Sequence, residues 1–276
     1  MTTSSTPSRE GLRLGWFSTG RGEGSRNLLR AVQESIRAGD LRARIEFVFM
    51  NREQGEADGS DAFIQLVKSY GLPLATTSFR AFRRAWTGAP DAWRVAYDRE
   101  VSRLIAPHRV DLCILAGYLL ILGPELVRQH SFVNLHPAAP GGPKGIWQEV
   151  IWHLIEQKAP RSGITIFLCT PEVDAGPTVT YCTYPIRGGA FDPLWRAVEG
   201  RSVADMKAKE GEELPLFKLI RQHGMRRETP LIVETLRAFP ALRGARIAGG
   251  QVVDAAGHPA AGHDLTAFVE RKLARV

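Results

Sequence analysis

The stretch that decides the fold is Phe132-Val133-Asn134-Leu135-His136-Pro137. Phe132 and Val133 are typical of a buried strand, and the period of two along a strand places Asn134 and His136 on the same face. Pro137 cannot continue a central strand because it lacks an N–H group. We therefore predict the polar pair at the carboxyl end of a strand, where open α/β sheets bind their ligands. The alternative is that both are ordinary turn residues.

Strands and helical segments alternate on the amino-terminal side of this stretch. Apolar runs predict strands at 12–18, 45–50, 72–76 and 110–115, with helical runs between them. Two more strands are predicted downstream, at 163–168 and 178–185. This alternation indicates an α/β fold with a Rossmann-like, doubly wound and mostly parallel sheet. The segment 78–89, rich in arginine and aromatic residues, is predicted as a solvated loop in which Trp86 faces the core.

The bulk composition limits the class of protein. The formal net charge of +7 fits either a nucleic-acid partner or small anionic substrates. Because arginine is spread along the whole chain, we expect small anions and no nucleic acid. The three cysteines lie in apolar or β-branched segments without Cys-x-x-Cys spacing, which predicts buried thiols and neither a disulfide nor a metal site. Residues 1–10 are polar and predicted to be disordered, and with no apolar run long enough for a membrane span we expect a cytoplasmic protein.

A glycine-rich stretch follows the first predicted strand. It is Thr19-Gly20-Arg21-Gly22-Glu23-Gly24-Ser25-Arg26-Asn27, and we predict a helix from Leu28 to about Arg37. Backbone N–H groups between a strand and a helix can approach a phosphate. The glycine spacing matches neither the dinucleotide fingerprint nor a Walker loop. The stretch is thus either an anion-binding turn or a simple connector.

Several short motifs follow one another in a recognisable order. They are Leu115-Ala116-Gly117-Tyr118-Leu119-Leu120-Ile121-Leu122, Asn134-x-His136-Pro137, Pro143-Lys144-Gly145, Ser162-Gly163-Ile164-Thr165 and Glu172-Val173-Asp174-Ala175-Gly176-Pro177. In order and interval they resemble the folate-dependent formyltransferases, above all the member that acts in purine synthesis. The resemblance covers about residues 11–200 and implies a catalytic domain with the formyltransferase fold there. It also implies formyl transfer from 10-formyltetrahydrofolate, as co-substrate, to a primary amine, which in the purine pathway is glycinamide ribonucleotide.

The resemblance implies catalytic roles for Asn134, His136 and Asp174. When a neutral amine attacks the formyl carbon, negative charge develops on the formyl oxygen, and Asn134 and His136 would donate hydrogen bonds to it. Asp174 would orient His136 and receive the proton that the amine loses. On its own, an Asp close to a glycine in a turn is an ordinary turn residue. The chain has no Gly-x-Ser-x-Gly motif, which is consistent with direct transfer.

Two further sets of site residues follow from the resemblance. The substrate phosphate is expected at the glycine-rich stretch, on Gly22, Gly24, Ser25 and Asn27. The pterin ring of the folate is expected against the segment after the fourth strand together with one residue beside Asp174, namely Tyr118, Leu119, Leu120, Ile121, Leu122 and Val173.

Residues 201–276 lie beyond the resemblance. We predict a helical extension there, with helices at 212–222 and 228–239 and a hairpin that pairs 245–247 with 251–254. The extension could be a packing appendage, a contact in a homodimer or part of the acceptor site. Two other activities fit the same core residues: formyl transfer to an amino sugar or an aminoacyl-tRNA, and hydrolysis of the formyl-folate.

Overall fold

The computed structural model describes residues 11–90, 92–172, 176–238, 246–248, 251–253 and 262–275. Its strands in chain order are β1 (Leu12–Ser18), β2 (Ala43–Met50), β3 (Leu74–Thr76), β4 (Leu112–Leu115), β5 (Phe132–His136), β6 (Arg161–Leu168), β7 (Thr178–Pro185), β8 (Arg246–Ala248), β9 (Gln251–Val253) and β10 (His263–Asp264). Its helices are α1 (Glu23–Arg37), α2 (Asp58–Ser69), α3 (Phe79–Ala85), α4 (Trp93–Ile105), α5 (Pro124–Gln129), α6 (Trp147–Glu156), α7 (Phe191–Ala197), α8 (Val203–Lys209), α9 (Pro215–Ala238) and α10 (Thr266–Leu273). A short 3-10 turn covers Gly211–Glu213.

The main sheet has eight strands in the order β10-β7-β6-β5-β4-β1-β2-β3. β1 pairs in parallel with β2 and β4, and β5 pairs in parallel with β4. β6 runs antiparallel to both of its neighbours, β5 and β7. The predicted mostly parallel, Rossmann-like α/β fold is confirmed. The predicted hairpin is present as the antiparallel pair β8–β9, while the outer residues Ala245 and Asp254 lie outside the described residues.

Both faces of the sheet are buried. On β1, the neighbouring residues Trp16 and Phe17 are both fully buried but belong to different hydrophobic clusters, as the period of two along a strand requires. Trp16 packs on the side of α1, α2 and α9, and Phe17 packs among the rings of Phe47, Phe49 and Phe132. A parallel strand that is buried on both faces has a continuous apolar sequence, which is what 12–18 shows.

Two local predictions in the amino-terminal half are wrong. α1 begins at Glu23 rather than Leu28, so Gly24, Ser25 and Asn27 lie within the helix and not in a turn before it. The segment 78–89 contains the helix α3, whose first turn is capped because the Ser78 hydroxyl accepts the Ala81 N–H. Trp86 does not enter the core but stacks on Phe82 at a ring distance of 6.1 Å.

A third prediction is wrong in the extension. The two helices predicted at 212–222 and 228–239 form one helix, α9, although it contains Gly224 and Pro230. Gly224 is needed for close packing, since a Cβ there would lie 3.0 Å from the Tyr184 hydroxyl on β7. Buried residues along α9, among them Phe217, Leu231 and Leu236, join the main hydrophobic cluster. α9 therefore packs on the sheet, and β10 adds a strand beside β7.

Candidate functional site

The loops that follow β1 and β4 are tied together at the carboxyl edge of the sheet. The Thr19 N–H donates to the Gly117 carbonyl over 3.0 Å, and the Leu119 N–H donates to the Thr19 hydroxyl over 3.0 Å. Ser18 adds a third link by donating its hydroxyl proton to the Ala116 carbonyl over 2.8 Å. The predicted phosphate-binding and folate-binding segments are thus neighbours, as a transfer between two substrates requires.

The amino end of α1 offers backbone donors more than side chains. Gly22 is the N-cap in an extended conformation, and the first N–H groups of a helix have no partner within it. The Ser25 hydroxyl already donates to the Gly22 carbonyl over 2.8 Å, and the Asn27 side-chain oxygen accepts from Arg30 over 3.1 Å. A Cβ on Gly22 would meet nothing within 4 Å, so a ligand can approach this turn.

α9 places charged side chains beside the same turn. A Cβ on Gly24 would lie 3.6 Å from Arg221 Nη2 and 4.0 Å from Glu228 Oε2. Arg221 donates to the buried Glu228 carboxylate over 2.7 Å, and its guanidinium lies 4.5 Å from the Trp147 ring centroid. The sequence analysis missed Arg221 and Glu228 because they are almost 200 residues away from Gly24 in the chain. No local motif marks them, and only the packing of α9 against α1 reveals them.

β5 places Asn134 and His136 at the same edge. Asn134 pairs with Leu115 of β4 and Phe167 of β6, and both polar side chains are half-buried. His136 Nε2 lies 2.8 Å from the Pro143 carbonyl oxygen. Because a carbonyl has no proton to donate, Nε2 carries the proton and donates it.

The loop 138–145 that supplies this carbonyl is fixed by β6. The Thr165 hydroxyl donates to the Ala138 carbonyl over 2.7 Å. Gly163 allows the loop to lie directly on the strand, since a Cβ there would be 2.9 Å from Ala139 Cα and 2.7 Å from the Cys182 carbonyl. The motif Ser162-Gly163-Ile164-Thr165 therefore supports the loop that holds His136.

The segment 117–122 presents alternate side chains to the core and to solvent. Tyr118 and Leu122 are buried in the cluster around Phe17, whereas Leu119 and Ile121 are 50% and 61% exposed. Leu120 is half-buried. Burial raises the pKa of Tyr118, whose hydroxyl has no hydrogen-bond partner within the described residues. The outward face of this segment is therefore an apolar wall.

Val173 and Asp174 lie outside the described residues, so their placement stays a prediction. The flanks of their turn are described. Leu168 at the end of β6 donates its N–H to the Pro177 carbonyl over 3.0 Å, and a Cβ on Gly176 would overlap the Leu168 carbonyl. Leu168 pairs with Val133, one residue before Asn134 and three before His136, so β6 ends beside the first half of β5.

Among the described residues, the thiols and acidic groups show no metal-binding arrangement. Cys113 and Cys182 are buried, and burial raises the pKa of Cys182 to about 12. Over the ranges that the structure describes, no group of three or more His, Cys, Asp or Glu side chains is placed to hold a metal ion. Nor is any helix in those ranges long and apolar enough to cross a membrane.

Comparisons with known proteins identify what this arrangement is similar to. A family model described as "Formyl transferase" matches residues 22–188. The phosphoribosylglycinamide formyltransferase of Escherichia coli K12 is 26% identical over 169 residues, which are 60% of this chain and 71% of that protein. The solved phosphoribosylglycinamide formyltransferase of Coxiella burnetii has a TM-score of 0.66 at 19% identity and covers 92% of this chain and 99% of its own. A formyltetrahydrofolate deformylase of Pseudomonas syringae has a TM-score of 0.61 at 18% identity, covering 89% and 66%. At these identities the two solved structures show the fold alone.

Proposed function

We propose a function from the premise that the chain belongs to the formyl transferase family. The proposed acceptor is the primary amine of glycinamide ribonucleotide. The family membership makes the protein an N-formyltransferase with 10-formyltetrahydrofolate as the formyl donor. The acceptor and the roles of individual residues are the proposal. The observation that carries it is the amino end of α1, where no side chain caps the helix and Arg221 of α9 lies beside Gly24.

This pocket is suited to a phosphorylated acceptor. A phosphate at a helix amino end is stabilised by the N–H groups and by the helix dipole. Arg221 adds a guanidinium, whose Nη2 would lie 3.6 Å from a Cβ at Gly24. The carboxylate of Glu228, which pairs with Arg221, can accept hydrogen bonds from hydroxyl groups of the same ligand. Together they favour an acceptor that carries both a phosphate and a sugar.

The proposed chemistry is direct transfer. The acceptor amine forms a bond to the formyl carbon, the bond between that carbon and N10 of the folate breaks, and its electron pair stays on N10. The amine loses one proton, which Asp174 receives through water, and the same proton is then passed through water to N10. Asn134 and His136 donate to the formyl oxygen, and each such donor can be worth ~3–4 kcal/mol in the transition state.

The imidazole has two nitrogens and, in this scheme, three partners: the Pro143 carbonyl, the formyl oxygen and Asp174. Nε2 already donates to Pro143 over 2.8 Å. One ring nitrogen cannot serve two acceptors equally well. We therefore expect the loop 138–145 to release His136 when the formyl donor binds, with the Nε2–H passing to the formyl oxygen.

Mass spectrometry of an acceptor panel tests the proposal. The enzyme is incubated with 10-formyltetrahydrofolate and glycinamide ribonucleotide, its dephosphorylated riboside, an amino-sugar nucleotide or an aminoacyl-tRNA. We expect the ribonucleotide to gain one formyl group fastest and the riboside to react far more slowly. A faster reaction of the amino sugar or the tRNA would replace the proposed acceptor.

A second candidate is hydrolysis of the formyl-folate, which the similarity to the Pseudomonas syringae deformylase fold supports. The same donors would then act on a water molecule instead of an amine. A reaction without any acceptor distinguishes the two activities, because only a hydrolase releases formate at full rate there. A homodimer is one of the roles that the sequence analysis left open for the extension, and sedimentation analysis can test it.

A further inference from the structure

A buried carboxylate holds the end of the segment 117–122. Asp98, on α4, is 3% exposed and accepts the Gly123 N–H at Oδ2 over 2.6 Å. Gly123 is the N-cap of α5, directly after the segment. A side chain at Gly123 is excluded, because a Cβ there would collide with the same carboxylate. The loop after β1 fixes the start of the segment through Thr19, and Asp98 fixes its end.

Only one of the two Asp98 carboxylate oxygens has a hydrogen-bond partner among the described residues. Asp98 Oδ1 is buried and has no hydrogen-bond partner within the described residues, and Arg94 Nε lies 3.9 Å from it. Burial raises the pKa of Asp98, while the charge of Arg94 acts in the opposite direction. A buried carboxyl group is costly when one of its oxygens is unpaired.

The residues around Asp98 include Tyr118, which belongs to the segment that forms the wall of the proposed folate site. The neighbouring Tyr97 anchors α4 by donating its hydroxyl proton to the Thr77 carbonyl over 2.8 Å. The charges of Asp98 and Arg94 both act on the pKa of Tyr118, at the start of the segment. Asp98 thus lies beneath the segment whose outer face carries Leu119 and Ile121.

We infer that Asp98 is a positioning residue for the folate. Through the Gly123 N–H it sets the conformation of the segment 117–122, so that Leu119 and Ile121 form the wall for the pterin ring. Asp98 itself touches no substrate. The inference rests on the proposed function and on the placement of the pterin ring that the family resemblance implies for this segment.

Two substitutions at Asp98 separate positioning from packing. Asp98→Ala removes the acceptor of the Gly123 N–H, whereas Asp98→Asn keeps an oxygen that can accept it. We expect Asp98→Ala to raise the KM for 10-formyltetrahydrofolate by about tenfold or more, the scale of one lost hydrogen bond to a charged group. The KM for the acceptor should stay within about twofold of the wild-type value. The KM of Asp98→Asn for the folate should be close to that of the wild type.

Asp111→Ala is a matched control. Asp111 also accepts a backbone N–H, that of Arg13 over 2.9 Å, and it pairs with the Arg13 side chain before the start of β4, at the opposite edge of the sheet. Its loss should lower Tm without changing the KM of either substrate. A general loss of stability would therefore appear in both alanine variants, whereas a change in the KM for the folate would appear in Asp98→Ala alone.

Direct binding completes the test and separates it from the proposed function. 5-Formyltetrahydrofolate, which is a folate without a formyl group on N10, is titrated against the tryptophan fluorescence of each variant. Weaker binding by Asp98→Ala but not by Asp111→Ala supports the inference even if the wild type transfers no formyl group, a result that would contradict only the proposed function. Equal folate binding by wild type and Asp98→Ala, or equal weakening of both substrates, overturns the inference.

Discussion

His136 is the last residue of β5, and its ring is held by main-chain atoms of the loop that follows. Pro137 ends the strand, so the ring lies at the edge of the sheet and remains half-buried. The hydrogen bond to Pro143 fixes which ring nitrogen carries the proton. Asn134, two residues earlier, lies between β4 and β6 and is constrained by pairing on both sides. At this scale the site consists of two hydrogen-bond donors on one rigid strand.

The first prediction concerns the cooperation of His136 with Asp174. If both act on one transition state, replacing either by Ala should lower kcat by about 10²-fold or more. The double variant should be little slower than the worse single variant, because residues that act as a unit are not additive. Pre-steady-state rates of formyl transfer measure all three effects. If the rate loss in the double variant equals the product of the two single losses, the side chains act independently.

In the proposed function, acceptor binding depends on the first turn of α1. Gly22 is exposed, and a Cβ there would meet nothing within 4 Å, so no side chain covers this turn at that position. Arg221 and Glu228 reach the same turn from α9, so an element of the extension completes the proposed pocket. The extension is thus more than a packing appendage in this account.

The second prediction uses Gly24→Ala to separate stability from binding. Alanine favours a helix over glycine by up to about 1 kcal/mol, and a Cβ there has only ordinary contacts, the nearest at 3.6 Å. Tm should therefore be unchanged or higher. The added methyl group should hinder the phosphate and raise the KM of the acceptor, while the KM of the folate stays constant.

Inorganic phosphate provides the control for this prediction. It should compete with the acceptor in the wild type and compete less well in Gly24→Ala. If phosphate does not inhibit the wild type, or if the KM of both substrates rises together, the amino end of α1 is not the phosphate site.

The sequence predicted strands better than the ends of helices. The apolar run 12–18 matches β1 because burial on both faces leaves a continuous apolar pattern, and 178–185 matches β7 because its side chains alternate between buried and more exposed. The start of α1 was missed because Gly24 has a low helix propensity, and α9 was divided because Gly224 and Pro230 lie between its halves. Packing against β7 outweighs that local preference. The contact between His136 and Pro143 was not predictable either, because it depends on Gly163 and Thr165 of β6.

At the scale of the whole molecule, the sheet is flanked by helices from both ends of the chain. α9 packs against α1, and Arg227 of α9 pairs with Glu270 of α10 over 2.7 Å. His223 on α9 contacts the ring of Phe191 at 4.8 Å. Burial and the charges of Arg227 and Arg226 lower the pKa of His223 below its usual 6.5. Global stability should therefore depend on the protonation of this side chain.

The third prediction is a loss of stability on the acidic side. Because the folded state lowers the pKa of His223, the unfolded chain binds the proton more tightly. The stabilisation is present above pH ~6.5 and is lost as the pH falls through the lower folded-state pKa. His130, whose pKa burial also lowers, contributes in the same direction. Urea unfolding at several pH values should show a smaller loss in His223→Gln, and an identical pH dependence in the variant and the wild type would contradict this.

The fate of the formyl carbon tests the central claim most directly. The measurement is ¹³C NMR of a reaction that contains 10-formyltetrahydrofolate labelled in the formyl group, with and without glycinamide ribonucleotide. The account predicts that the label moves to the amide of the product, that little formate forms without the acceptor, and that His136→Ala slows the transfer by about 10²-fold. Labelled formate that forms at the same rate with and without the acceptor would show that water is the acceptor and would contradict the account.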